Sequence, residues 1–415
     1  MNAQVNTRRR NPNSSSLQTT SGRKHRPDYL LFLSMTTLLV VGLVVIYSVS
    51  PAISARLVGD VDPNHFMYRQ LTFLALGFAV FTFSSIVPLK FWEKVHKYIL
   101  WAAIASFFLL LIPALSINYG GATRWVSLGP INYQPAELLK FGLIFYVAMF
   151  FSQRIRSGTL STKETVYAFL LIFLATSAEI VILQKDLGTM IPIAAILLTM
   201  LFLSGISMRK FSIVVAIIGV GGVLAIAGAG HRRDRVFTFL NPDADTSGSG
   251  YHINQALIAV GSGGLFGKGL GRSVQAYGYL PEAANDSIAA IYAEKFGFVG
   301  MVAIFMAYGL LLFRLINNVL LSPSTYLKLI SAGIFAWMSV QAFVNIGAML
   351  GIMPLTGVTL PLLSFGGTSL IFTLAALGVA FNISRYTKYR DEIPERQEHE
   401  NITRGRGLGR SRYPA

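Results

Sequence analysis

"YLLFLSMTTLLVVGLVVIYSV", Tyr29 to Val49, contains no charged side chain. As a helix at about 1.5 Å per residue it spans roughly the hydrocarbon core of a bilayer. It is too long for a signal peptide, and no small-residue cleavage site follows, so it is expected to persist as a helix. Its pattern recurs along the chain, and that recurrence decides the fold. Long apolar runs predict about ten spans, near 28–50, 68–88, 98–117, 136–152, 165–183, 189–206, 211–230, 286–313, 328–352 and 361–383. Composition agrees: 53% of residues are hydrophobic, 13% are charged and the mean hydropathy is +0.55. The expected fold class is therefore an all-α polytopic membrane protein of about ten transmembrane helices. A long extracytoplasmic loop, 231–285, joins helices 7 and 8.

The absence of cysteine excludes disulfides, iron–sulfur clusters and thiol catalysis. The formal charge of +16 raises the question of nucleic acid, but the distribution of charge argues against it. With the N-terminus inside, 24 of the 35 basic residues fall in the two tails and in loops on the cytoplasmic side. They include Arg8–Arg10, Lys90, Lys94, Arg154, Arg209 and Arg314. That bias places both termini in the cytoplasm, with anionic headgroups as partners of the basic tails. Residues 1–27 and 387–415 lack the apolar content to bury a core and are expected to be disordered. Residues 28–386 form one membrane domain.

Carboxylates in or at the rim of the spans are costly and mark candidate sites. These are Glu137, Glu179, Asp186, Asp286 and Glu294. Lys140 follows Glu137 by three residues and lies on the same helical face; the pair either serves a site or pins its helix. Arg124 and Trp125, in the preceding outer loop, can clamp phosphate and stack on a sugar, or anchor the interface. Asp186 is either a site residue or a turn residue neutralised by Lys185. Glu179 has no evident partner. Arg232, Arg233 and Arg235 open the outer loop and can hold a pyrophosphate or lipid headgroups. The glycines of "GSGGLFGKGLG" match neither a P-loop nor a dinucleotide fingerprint and are read as flexible. Asp286 stands where helix 8 should begin, so it is either an N-cap or a general base. Ala289, Ala290 and Ala293 would leave room beside it. No metal-ligand spacing involves the histidines. The "MPLTGVTLPLLSFGGTS" stretch breaks an apolar span, as irregular backbone does where it lines a cavity.

These stretches, taken in order, resemble the SEDS family (shape, elongation, division and sporulation proteins) over about Asp28 to Tyr386. The motifs are GGATRW, QPAELLK, QKDLGT, RRDR…NPDAD, GSGGLFGKGLG, LPEAAND…AEKFG and PLTGVTLPLLSFGGTS. The likeness is greatest to the division branch, with the elongation branch next. It implies a glycosyltransferase that polymerises lipid II into peptidoglycan strands on the outer face of the bacterial cytoplasmic membrane. It also implies Asp286 as the catalytic carboxylate. The candidate substrate-binding set is Arg124, Trp125, Glu137, Lys140, Asp186, Arg233, Arg235, Glu282 and Ser364. The leaving pyrophosphate needs positive charge, from Arg124, Lys140, Arg233 or Arg235 or from a divalent cation, Mg2+ or Mn2+. No organic cofactor is implied. The implied partners are a class B penicillin-binding protein transpeptidase and other divisome proteins, at the division septum. Departures from the family pattern are Ser287 for Phe, Lys185 for Pro, Ala136 for Ser, Lys295 for Glu and His252 for Gln. A lipid-linked precursor flippase is the rival class, distinguished by its product.

Overall fold

The computed structural model describes residues 25–55, 62–119, 122–129, 131–241 and 248–387. The expected tails lie almost wholly outside these residues. Among the described residues, nine helices are long and apolar enough to cross a membrane. In chain order the helices are α1 (Tyr29–Ser54), α2 (His65–Ile86), α3 (Leu89–Phe108), α4 (Pro135–Arg156), α5 (Lys163–Ala178), α6 (Leu187–Leu203), α7 (Met208–Ala227), α8 (Gly230–Leu240), α9 (Ser249–Ser262), α10 (Ile288–Leu321), α11 (Thr325–Met349) and α12 (Gly367–Ile383). The short apolar α6 completes the ten expected spans; α8 and α9 give the outer loop a structure that its sequence did not announce.

Two boundaries differ from expectation. The third span starts at Leu89 rather than near residue 98. Leu89, Trp92 and His96 form a buried stripe at helical spacing, so the basic segment continues the helix instead of looping. Its other end gives way to a small antiparallel sheet: β1 (Ser116–Tyr119), β2 (Ala122–Leu128) and β3 (Ile131–Tyr133), in the order β1-β2-β3. Among the described residues the membrane part is thus all-α, with one sheet between α3 and α4.

Helices α4, α11 and α12 form the buried centre, whereas α7 turns nearly all its surface outward. Such a difference suits lipid as the surrounding medium, because an apolar face there needs no protein cover. Asp28 starts α1 by accepting hydrogen bonds from Leu30 and Leu31 N–H at 3.1 and 3.2 Å. Its second oxygen pairs with Arg314 Nε of α10 at 2.5 Å. Beside it, His25 N–H donates to the Arg385 carbonyl and Asp28 N–H to Ser384 Oγ. The segment before α1 and the end of α12 therefore meet on one face.

The glycine-rich segment after α9 is not a flexible tether. A Cβ on Gly263 would lie 2.1 Å from the Ala293 carbonyl oxygen, so only glycine permits this approach. Opposite it, α10 breaks at Gly297 (φ 64°, ψ −162°). The carbonyls of Glu294 and Lys295 accept from Lys268 and Gly269 N–H, and Phe298 and Val299 N–H donate to Gly264 and Leu265. The loop thus satisfies the groups that the break exposes. Glu294 itself, fully buried, accepts from Ser273 Oγ at 2.5 Å, Val274 N–H at 2.9 Å and Lys268 Nζ at 3.1 Å. Lys295 Nζ donates to the Leu270 carbonyl at 2.8 Å. These charges at the mouth of an apolar helix hold the loop in place. Ala289, Ala290 and Ala293 are buried and do not line the space beside Asp286.

Candidate active site

A cavity of about 580 Å³ lies at the end of the bundle opposite the contact between the segment before α1 and the end of α12. The sheet, α4, the start of α6, the turn before α10 and the irregular segment 350–366 surround it. Eight of the ten predicted residues line it: Arg124, Trp125, Glu137, Lys140, Asp186, Arg235, Glu282 and Asp286.

Arg124 reaches the cavity because of a local irregularity. Trp125 pairs with Ile117 and Thr123 with Asn118, so Arg124 is the extra residue of a β-bulge. Bulges re-aim side chains, and this one sets Arg124 Nε 3.4 Å from Asp186 Oδ2. Asp186 also caps α6, accepting from Thr189 N–H at 3.3 Å and Thr189 Oγ1 at 2.8 Å. Lys185, the expected neutralising partner, is exposed with φ 53°. The pairing comes from the sheet, beyond the reach of local sequence.

Glu137 and Lys140 are both buried and in contact, Nζ to Oε1 at 2.9 Å. Lys140 also donates to Gln341 Oε1 at 3.2 Å and lies 4.7 Å from the centre of the Trp337 ring. Gln341 in turn receives Trp337 Nε1–H at 2.6 Å and donates to the Thr359 carbonyl at 3.0 Å. The ion pair is therefore anchored to α11 and to segment 350–366. Glu137 Oε2 is buried without a hydrogen-bond partner.

Asp286 is not the N-cap. Ser287 holds that position, and α10 begins at Ile288. Among the described residues none donates a hydrogen bond to the Asp286 carboxylate, which lies close to the backbone of Gly357. Burial raises its pKa, Glu282 and Asp186 add to the rise, and Arg124 and Arg235 oppose it. Such a group is poised to take a proton near neutrality. Two of the family departures meet beside it: His252 Nε2 and Ser287 Oγ are 2.6 Å apart. Burial lowers the pKa of His252, which favours the neutral ring.

The remaining predicted residues lie elsewhere. Arg233 is exposed on α8, off the cavity, because it is two positions from Arg235 on a helix and faces away from it. Its neighbour Arg232 is occupied with the carbonyls of Ala225 and Val181. Ser364 is buried behind the cavity wall, donating to the Asn285 carbonyl at 2.7 Å and accepting from Leu360 N–H at 2.8 Å. Glu179 opens a π-helical turn, Glu179–Gln184, with Oε2 unpartnered. Sequence reasoning missed Arg69, Gln341 and Asn345, which all border the cavity. Two amides one turn apart in an apolar helix were the available signal. Among the described residues no group of three or more His, Asp or Glu is placed to hold a metal ion.

A profile of the cell cycle proteins FtsW, RodA and SpoVE matches residues 28–389. Stage V sporulation protein E of Bacillus subtilis is 36% identical over 88% of this chain and 99% of its own. The probable peptidoglycan glycosyltransferase FtsW of Thioalkalivibrio sulfidiphilus is 34% identical over 87% and 90%. Among solved structures, a chain from a peptidoglycan synthase complex that coordinates polymerization and crosslinking aligns with TM-score 0.72 and 26% identity, over 87% of this chain and 99% of that one. The Thermus thermophilus rod shape determining protein RodA aligns with TM-score 0.63 and 27% identity, over 88% and 98%.

Proposed function

The chain belongs to the FtsW/RodA/SpoVE family, and from that premise we propose that it is a peptidoglycan glycosyltransferase polymerising lipid II. One observation carries the reading. Asp286, released from capping and with a raised pKa, opens onto the same cavity as Arg124 and Arg235.

Asp286 takes the proton from the acceptor sugar hydroxyl. The freed oxygen forms a bond to the anomeric carbon of the donor as the bond to undecaprenyl pyrophosphate breaks. One displacement turns an α-linked donor into a β-linked product. Arg124 and Arg235, with Lys140 deeper in the wall, supply positive charge where the pyrophosphate departs. Trp125 offers a face for a sugar. The site end of the bundle is the outer face of the cytoplasmic membrane, and the opposite end faces the cytoplasm, in keeping with the basic loops there.

The neighbouring structure belongs to a synthase complex, which supports a class B penicillin-binding protein transpeptidase as partner. The FtsW relatives support action at the septum, with other divisome proteins. Purified protein given lipid II in detergent should yield glycan polymer. Intact lipid II, merely moved across a bilayer, would instead identify a carrier.

A further inference from the structure

Among the described residues no side chain donates a hydrogen bond to the Asp286 carboxylate, so its direction depends on the main chain that carries it. That main chain is an unusual turn. Glu282 sits at φ 49°, and Asn285 and Ser287 N–H both return to its carbonyl. The carbonyls of Ala284, Asn285 and Asp286 lie between this turn and Ser287, whose carbonyl is the first to accept from α10. Each is taken by a donor from the distant C-terminal part of the chain. Phe365 N–H donates to the Ala284 carbonyl at 2.8 Å. Ser364 Oγ donates to the Asn285 carbonyl at 2.7 Å. Asn345 Nδ2 donates to the Asp286 carbonyl at 2.7 Å.

Asn345 does more. The same amide nitrogen donates to the Val358 carbonyl at 2.7 Å, one residue beyond Gly357, the backbone against the Asp286 carboxylate. A single buried side chain on α11 thus sets both the turn that bears the carboxylate and the strip of wall facing it. Two carbonyl acceptors at that distance fix the orientation of the amide, since its oxygen could accept from neither. Ser364 is fixed in the same way, because its oxygen is engaged by Leu360 N–H while its hydrogen goes to Asn285.

We propose that Asn345 and Ser364 are positioning residues, which aim the Asp286 carboxylate by holding successive carbonyls of its turn against the segment after α11. This rests on the reading of Asp286 as the general base, and it replaces a substrate contact as the role of Ser364. Misplacement of a reacting group by about 1 Å costs on the order of 10²-fold in rate. A positioning defect therefore appears in turnover and leaves substrate capture intact.

The test measures lipid II polymerisation by the purified full-length chain, per folded molecule, for Asn345→Ala, Ser364→Ala, Ser364→Thr and Asp286→Asn. Asn345→Ala and Ser364→Ala should lower kcat by roughly 10- to 10²-fold with KM nearly unchanged, and Ser364→Thr, which keeps the hydroxyl, should recover most of it. Should Asn345→Ala fail to fold, the Ser364 pair decides alone. A wild-type kcat in Ser364→Ala, or a fall expressed in KM, overturns the inference. If Asp286→Asn loses activity while Ser364→Ala and Asn345→Ala keep it, only the positioning role falls. Wild-type activity in Asp286→Asn removes the premise itself.

Discussion

At the scale of single residues, Asp286 and its neighbours make separable demands. Asn keeps the shape of Asp but accepts no proton near neutrality, so Asp286→Asn should insert normally and lose about 10²- to 10⁴-fold in polymerisation rate. Assay of the purified variant on lipid II checks this, and near-wild-type turnover would reject the assignment. The base works only when ionised, so activity should fall on the acid side as pH drops through its raised pKa. Glu282 is one of the groups raising that pKa. Glu282→Gln should therefore move the acid limb to lower pH, and a limb that stays fixed or rises contradicts the electrostatic account. Glu137 and Lys140 depend on each other in a different way. Removing one partner of a buried pair strands the other at a cost of about 3–5 kcal/mol. Glu137→Gln combined with Lys140→Met should then be more stable than the worse single variant. Additive losses of stability in a thermal double-mutant cycle would show that the two do not couple.

At the scale of elements, the sequence disclosed what depends on local pattern and concealed what depends on a partner. The spans were legible because apolar runs of membrane length have few other uses. Asp286, Glu137 and Lys140 were legible because a carboxylate in such surroundings needs a reason. The sheet escaped notice: its strands are short, and the bulge at Arg124 interrupts the alternation that would have revealed it. The same bulge gives Asp186 its partner, so the local guess of Lys185 could not have been corrected from sequence. The glycines after α9 misled for a related reason. Their purpose lies in the carbonyls of α10, some thirty residues away. Two neighbouring glycines separate the possibilities. A Cβ on Gly263 meets Ala293 O at 2.1 Å, whereas one on Gly261 meets nothing within 4 Å. Gly263→Ala should destabilise by about 1–3 kcal/mol through overpacking. Gly261→Ala, inside α9, should be neutral or stabilising by up to about 1 kcal/mol. Thermal unfolding in detergent measures both, and equal effects would mean that the loop is free after all.

At the scale of the whole molecule, the two ends of the bundle are specialised. One end carries the cavity, with its bulged strand, broken helix and unsatisfied carboxylate oxygen. The other end is closed by contacts that tie α1, α10 and the end of α12 together, and Asp28 is their hub. Irregular backbone tolerated at the site has to be compensated by order elsewhere, and a hub far from the chemistry can supply order without touching the reaction. Asp28 allows its two duties to be separated. Asn caps helices about as well as Asp, so Asp28→Asn keeps the start of α1 but gives up the charge that faces Arg314. Asp28→Ala gives up both, and should lose about 0.5–2 kcal/mol more than Asp28→Asn, the usual worth of a cap. Both variants should show the lower thermal midpoint in detergent, in that order, while polymerisation per folded molecule and its pH dependence stay at wild-type values. A shift in the acid limb of either variant would mean that the two ends communicate, and that the hub acts on the reaction as well as on the fold.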